Sequence, residues 1–169
     1  MNKSTYFSVL FVFLAGCLIW GNQKSTLADG IFLELEAEKA DSIKKPFEVA
    51  FDSAASGGGY VIISKGSMDE FRRAGKATFH FTVEVPNTIL QIWIRAKSDN
   101  PCVNSFYLAV DGKRRMIAGA GKTEGDWIWI RNSDMGLSRG KHTLDIMARE
   151  ESCLLDKIIL TSRTAYTPI

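Results

Sequence analysis

The sequence lacks the features on which most enzymatic and nucleic-acid functions depend. It has 2 histidines, and its 21 basic and 19 acidic residues leave a net charge of +2. This balance produces no strong field toward nucleic acid or an acidic membrane, so we expect no nucleic-acid function. His80 and His142 lie far apart in the chain with no Ser or Cys elbow beside them. We therefore expect neither a hydrolase triad nor a zinc site.

Helical periodicity, internal repeats and low-complexity tracts are also missing. Alternation of apolar and polar residues dominates instead, as at 31–38, 78–85 and 90–95, and this period is typical of strands with one buried face. Further short runs lie at 47–51, 60–64, 105–111, 114–118, 127–131, 142–148 and 155–161. Turn signals such as 56–59 and Asp111-Gly112 separate them. We predict an all-β fold of about ten short antiparallel strands, a β-sandwich of the jelly-roll type.

The N-terminal segment is typical of an export signal. Lys3 precedes an apolar run at 6–20. This run of about 15 residues is shorter than the roughly 20 residues that a membrane-spanning helix needs. We therefore predict a signal peptide at 1–28 and a single domain at 29–169 that works outside the cytoplasm.

Two cleavage sites compete within this signal. The residues at 14–17, Leu-Ala-Gly-Cys, match the bacterial lipobox, at which the peptide is cut before Cys17 and this cysteine is lipidated. The alternative is an ordinary cut after Ala28, with Thr26 in the small-residue position before it. We expect the lipobox cut, which makes the domain a lipoprotein of the cell surface or periplasm that meets the membrane only through its anchor. The other cut gives a secreted protein.

Export also bears on the two remaining cysteines. Cys102 and Cys153 both lie beside turn signals, and cysteines outside the cytoplasm can pair. Two unrelated thiols are the alternative, because the sequence does not fix their distance in space. We expect a disulfide between Cys102 and Cys153.

Three glutamates alternate in the first predicted strand. Glu34, Glu36 and Glu38 would share one face, with neighbours about 6.5–7 Å apart. They repel one another unless a cation lies among them, and calcium suits the site because it takes about 6–8 oxygen ligands in irregular geometry. Backbone carbonyls of the glycine loop at 56–59 and the carboxylate of Asp156 could complete the shell of the ion. The alternatives are a solvated edge face and the carboxylate pair of an inverting glycosidase, which needs a deep cleft.

Two tryptophans alternate in a later strand. Trp127 and Trp129 would lie on one face, with Ile128 and Ile130 on the other. An exposed pair would form a platform on which sugar rings stack, whereas the alternative places one or both in the core. Tyr60, which follows the glycines, is a second candidate for such a platform.

A series of short segments matches a known group in order and spacing over nearly the whole chain after Asp29. The segments are LEAE at 35–38, SGGGYV at 56–61, IWIRA at 92–96, NSFY at 104–107, VDG at 110–112, WIW at 127–129, GKHTL at 140–144 and LDKIIL at 155–160. Together they resemble the galactose-binding-like carbohydrate-binding modules of families 6 and 35. The resemblance implies a β-jelly roll that carries a structural calcium ion.

The resemblance also implies which residues hold the ion. In such modules the paired glutamates of the first strand and a late aspartate are ligands, together with carbonyls near the glycine loop. These positions correspond to Glu36, Glu38 and Asp156, with Ser56 or a neighbour supplying a carbonyl.

Sugar contacts carry over less completely. The aromatic residues of the binding surface correspond to Tyr60 and to Trp127 or Trp129, and Asn104 is a further candidate. The asparagine that these modules carry two residues before the late aspartate is replaced by Leu154. We expect a monomeric, non-catalytic module that binds a polysaccharide or glycan. The alternative is a structural or protein-interaction domain of the cell envelope that reuses the fold without binding sugar.

Overall fold

Strands form most of the regular structure, as the alternating pattern predicts. The computed structural model describes residues 30–63, 75–98, 105–119, 125–150 and 153–169. The strands in these ranges are β1 Phe32–Glu36, β2 Ser42–Lys44, β3 Phe47–Phe51, β4 Gly59–Ile63, β5 Lys76–Val83, β6 Thr88–Ser98, β7 Ser105–Val110, β8 Arg114–Gly119, β9 Ile128–Arg131, β10 Met135–Leu137, β11 Gly140–Ala148 and β12 Cys153–Thr161. Two 3-10 helices span Ala37–Lys39 and Ser56–Gly58. Within the described ranges, no helix has the length and apolar character needed to cross a membrane.

The strands form two sheets, and all their pairings are antiparallel. The larger sheet has the order β10-β6-β12-β4-β3, with β1 also paired to β12 and β9 to β6. The smaller sheet has the order β2-β5-β11-β7-β8. Their apolar faces pack against each other as in a sandwich. This architecture confirms the predicted all-β jelly roll.

The core consists of the alternate apolar residues that the sequence pattern assigns to one strand face. On the long strand β6, Leu90, Ile92 and Ile94 are fully buried, whereas Trp93 and Arg95 point to the other face and are partly exposed. The smaller sheet contributes Phe79, Phe81, Leu108, Leu144 and Ile146 to the same cluster. Burial of each large apolar side chain stabilises the fold by about 1.5–3 kcal/mol. The outer face of the larger sheet is left free to carry polar and aromatic groups.

The structure differs from the predicted strands at a few points. The sequence pattern does not predict β2 and β10, because each is only 3 residues long and too short to show alternation. Trp127 precedes β9 rather than starting it. The signal segment with Cys17, and also Cys102 and Asn104, lie outside the described residues. Cys153 is buried on the core side of β12, and its pairing with Cys102 stays a prediction.

The predicted Asp111-Gly112 turn joins β7 to β8. Asp111 and Gly112 have φ of 50° and 66°, which is the conformation of a tight hairpin turn. Oδ2 of Asp111 lies 2.9 Å from Nδ1 of His142, and Nε2 of His142 lies 2.9 Å from the carbonyl oxygen of Ser138. Two acceptors, one at each ring nitrogen, favour the doubly protonated imidazole, in which both nitrogens donate.

Both members of this pair titrate away from their ordinary values. Burial lowers the pKa of His142, but hydrogen bonds to Asp111 and Ser138 outweigh it and raise the pKa above 6.5. Burial raises the pKa of Asp111, but hydrogen bonds to His142 and Thr143 outweigh it and lower the pKa below 3.8. Nearby Lys113 favours the ionised aspartate and opposes the imidazolium. A raised pKa of His142 stabilises the folded state fully below pH 6.5, and a lowered pKa of Asp111 stabilises it fully above pH 3.8. The pair therefore makes its whole contribution to the free energy of unfolding between these two pH values.

We expect the stability that this pair contributes to disappear as the pH rises through the raised pKa of His142. His142→Asn should lower the melting temperature at about pH 5–6 and have a smaller effect at about pH 9, because less of the wild-type imidazole is protonated there. Thermal unfolding monitored by circular dichroism at the two pH values measures this difference. His80→Asn, at an exposed histidine of β5, is the matched control. Equal losses at both pH values for His142→Asn would contradict the assignment.

Candidate functional site

A row of charged side chains crosses the outer face of the larger sheet. Glu36 of β1 lies opposite Lys157 of β12, which in turn lies opposite Arg95 of β6. The register of β12 on β6 shifts between Leu155 and Lys157, so Asp156 is the extra residue of a β-bulge. Bulges re-aim side chains, and here the fully buried carboxylate of Asp156 meets Arg95 at the middle of the row.

Glu38 lies beside this row but belongs to a 3-10 helix rather than to the predicted strand. β1 ends at Glu36, and the chain turns through the 3-10 helix Ala37–Lys39, with Ala37 fully buried. The prediction that three glutamates share one strand face is therefore wrong for Glu38. Its side chain is nevertheless only 10% exposed, whereas that of Glu34 is 51% exposed.

The glycine loop closes over Glu36 and Glu38, whose side chains are 19% and 10% exposed. Gly57 has a φ of 66°, and a β-carbon there would lie 2.9 Å from Oε1 of Glu38 and 3.7 Å from Oε2 of Glu36. Ser56 donates its hydroxyl to Oε1 of Glu36 at 3.0 Å and its backbone N–H to Oδ1 of Asp156 at 2.9 Å. We call Glu36, Glu38, Ser56 and Asp156 the carboxylate cradle.

Three carboxylate oxygens of the cradle are buried without a hydrogen-bond partner. They are Oε2 of Glu36 and both Oε1 and Oε2 of Glu38. The ion pair of Glu38 with Lys39 is long, at 3.8 Å, and the lysine is 70% exposed. A buried polar group without a partner costs about 1–3 kcal/mol, and more when it is charged. Clustered anionic oxygens of this kind are the donor set of a hard cation such as calcium.

Two basic side chains neutralise part of the cradle. Nζ of Lys157 lies 2.9 Å from Oε1 of Glu34 and 3.1 Å from Oε1 of Glu36, and Nη1 of Arg95 pairs with Oδ2 of Asp156. Burial lowers the pKa of Lys157, but the two glutamates outweigh it and raise the pKa above its ordinary value. Burial raises the pKa of Asp156, and Arg95 offsets this only in part.

Side chains alone do not complete a metal shell in the cradle. In the part of the chain that the structure describes, no group of three or more His, Cys, Asp or Glu side chains is arranged to hold a metal ion. Asp156 is turned to Arg95 and Ser56, which leaves two glutamates for a cation. The three orphaned oxygens still favour a cation, because main-chain carbonyls and a released Asp156 could supply the remaining ligands.

An aromatic cluster lies beside Arg95 on the same face. The ring centres of Tyr60 and Trp127 are 5.6 Å apart with an interplanar angle of 64°, which is an edge-to-face contact. The guanidinium carbon of Arg95 lies 5.6 Å from the Trp127 ring centre, and Nζ of Lys97 lies 5.9 Å from it. Both rings are half-buried. We call Tyr60, Trp127, Arg95 and Lys97 the aromatic cluster.

The two tryptophans of the predicted platform have different neighbours. Trp129 lies opposite Arg95 on the outer face while Ile130 packs against the core, so the predicted alternation holds within β9. Among the described residues, however, Trp127 makes its ring contact with Tyr60 rather than with Trp129. Tyr60 and Trp127 thus form a corner of two crossed rings on this face, and a platform that includes Trp129 stays a prediction.

Sequence reasoning missed three basic residues of this face. A signal existed for Arg95 and Lys97, which alternate with the core residues Ile94 and Ala96 and so must share the outer face. Lys157 carries no comparable signal, because its side chain faces outward only through the bulge at the preceding residue. Leu154, which replaces the asparagine of the resemblance, lies opposite Lys97 on the same face.

A cavity of about 330 Å³ lies elsewhere, between the β7–β8 turn and β10. Its two carboxylates are already engaged with partners, since Asp111 contacts His142 and Asp134 contacts Arg131 at 2.7 Å. The orphaned oxygens and the half-exposed ring pair lie on the outer face of the larger sheet instead. We therefore assign the candidate site to that face.

Solved structures of carbohydrate-binding modules have the same fold. The family 35 module from Clostridium thermocellum has a TM-score of 0.61 and 21% identity, covering 76% of this chain and 98% of the module. The C-terminal family 6 module of a marine laminarinase from Zobellia galactanivorans has a TM-score of 0.61 and 14% identity, covering 78% of this chain and 99% of the module. Low identity of this order shows the fold alone.

An enzyme structure is matched over a smaller part of its length. The exo-β-1,3-galactanase from Phanerochaete chrysosporium has a TM-score of 0.62 and 16% identity over 76% of this chain, which spans only 29% of that enzyme. No protein-family model matches the sequence, and the comparison with curated proteins gives no match. The chain thus has the fold of family 6 and family 35 carbohydrate-binding modules, as the resemblance implied.

We expect the packing of Glu38 to make Gly59 intolerant of a side chain. A β-carbon on Gly59 would lie 2.7 Å from Cγ of Glu38, so Gly59→Ala should lower the free energy of unfolding by about 1–3 kcal/mol through overpacking. Gly136→Ala is the matched control, because Gly136 also lies in a strand and has open space at this position. Urea denaturation of both variants measures the difference. Equal tolerance at the two sites would contradict the geometry of Glu38.

Proposed function

We propose that this protein binds a poly- or oligosaccharide without catalysing its conversion. The observation that carries the proposal is the half-buried ring pair of Tyr60 and Trp127, flanked by the charged groups of Arg95 and Lys97. Aromatic rings stack on the apolar faces of sugars, and flanking donors can bond to hydroxyl groups. The shared fold with carbohydrate-binding modules supports this reading.

The proposed contacts extend along the outer face. Tyr60 and Trp127 would form the walls of a corner that a sugar ring enters, and Trp129 would extend the surface beyond Arg95. Asn104 stays a proposed contact that lies outside the described residues. A glycosidase is less well supported, because Glu34 and Glu36 both bond to Lys157 rather than facing each other across a cleft.

The proposal includes a structural calcium ion held by the carboxylate cradle. Glu36, Glu38 and Asp156 would supply carboxylate oxygens, and a carbonyl at or near Ser56 would add a further ligand. The three orphaned oxygens support this assignment, because a divalent cation would neutralise them. The ion would tie β1 and the glycine loop to β12, which positions Tyr60 at the start of β4.

Export remains part of the proposal. Lipidation at Cys17 would hold a monomeric module at the cell surface or in the periplasm. A disulfide between Cys102 and Cys153 would stabilise the folded module outside the cytoplasm.

One observation favours an interaction domain as a second candidate. The apolar Leu154 stands beside Lys97, where sugar-binding relatives of the resemblance carry an asparagine.

A polysaccharide array, probed in the presence of calcium, tests the proposal. We expect the wild-type protein to bind at least one polysaccharide and Trp127→Ala to weaken this binding by about tenfold or more, because a buried aromatic contact is lost. Phe51→Ala is the control, because Phe51 is 80% exposed on β3 and outside the aromatic cluster. Absence of binding to every polysaccharide would favour the interaction domain. An equal loss in both variants would contradict the assigned site.

A further inference from the structure

We infer that Arg95 couples the carboxylate cradle to the glycan-binding surface. A divalent cation in the cradle would compete with Arg95 for Asp156 and release the guanidinium to the rings of Tyr60 and Trp127. The inference rests on the calcium ion proposed above and adds a role that a purely structural ion lacks. Occupancy of the cradle would thereby set the state of the surface around Trp127.

Asp156 is the group that the two sites share. Its Oδ1 accepts from the backbone N–H of Ser56, its Oδ2 pairs with Arg95, and its side chain is 0% exposed. A buried carboxylate that loses its only cation without replacement is strongly destabilising. Arg95 can therefore leave Asp156 only when another cation takes its place.

Electrostatic repulsion makes the cation and the basic residues mutually exclusive partners of the cradle. A dication beside Glu36 and Asp156 repels both Lys157 and Arg95 at these short distances. Each basic residue has a second partner to which it can move. Lys157 already bonds to the half-exposed Glu34 at 2.9 Å, and the guanidinium of Arg95 already lies over the ring of Trp127.

Arg95 is the residue through which the effect reaches the surface. Its guanidinium contacts Asp156 on one side and lies 5.6 Å from the Trp127 ring centre on the other. Lys97 lies over the same ring but has no ion pair with a carboxylate among the described residues. Linkage is reciprocal, so a glycan that engages the released Arg95 would also strengthen cation binding.

The coupling is tested in a parent variant of the full chain. In this variant every tryptophan except Trp127 is changed to phenylalanine, so that the emission comes from Trp127 alone. Calcium affinity is measured by titration calorimetry, and the emission of Trp127 is recorded during the same titration. We expect Arg95→Met to bind calcium about tenfold more tightly, because the internal competitor is gone, and to lose the calcium-induced change in emission. Arg131→Met, at a guanidinium that pairs with Asp134 instead, should keep the parental affinity and the emission change.

Each outcome separates the coupling from the calcium proposal. If the parent and Arg95→Met bind calcium equally, or the variant binds more weakly, the coupling is overturned and the calcium site stands. If Arg95→Met binds calcium and the parent does not, Arg95 blocks the cradle in the parent, which supports competition between Arg95 and the cation for Asp156. If neither binds calcium at up to about 10 mM, both proposals fail. Arg95→Gln, checked by circular dichroism, repeats the test should Arg95→Met not fold.

Discussion

Burial of three carboxylates at one junction of strand and loop is the constraint on which the rest of this face depends. Glu36, Glu38 and Asp156 come from β1, a 3-10 helix and a β-bulge, and the glycine loop closes over them. Charged groups without partners oppose folding, so each must be neutralised. Arg95 and Lys157 neutralise part of this charge, and the oxygens of Glu38 are left over.

This arrangement ties the cradle to the surface that we propose for glycans. The side chain of Arg95 on β6 pairs with Asp156 and at the same time lies near the ring of Trp127. The ring of Trp127 makes an edge-to-face contact with Tyr60, which directly follows the glycine loop. Displacement of the loop would thus move both Ser56 of the cradle and the ring of Tyr60. Charge balance in the cradle and the proposed glycan binding therefore depend on the same backbone positions.

Local patterns predict the sandwich but not the contacts between its parts. The alternation in β6 correctly places Ile92 and Ile94 in the core, and Asp111-Gly112 correctly marks a hairpin. Alternation also extends the first strand to Glu38, which is wrong because β1 ends at Glu36 and the chain turns into a 3-10 helix at Ala37. Pairing of Tyr60 with Trp127 joins distant segments, so no local period could reveal it. The same holds for the bulge at Asp156, which depends on the neighbouring strand.

Thermal unfolding with calcium and with a chelator tests most directly whether the orphaned glutamates hold a cation. We expect calcium to raise the melting temperature of the wild-type protein by several degrees and Glu38→Gln to abolish this response, since ligands that bind only the folded state stabilise it. In chelator, Glu38→Gln should melt at or above the wild type, because an uncompensated buried charge is gone. Glu48→Gln, at a side chain that is 49% exposed, should behave like the wild type. The same wild-type melting temperature in both solutions would contradict the cation site.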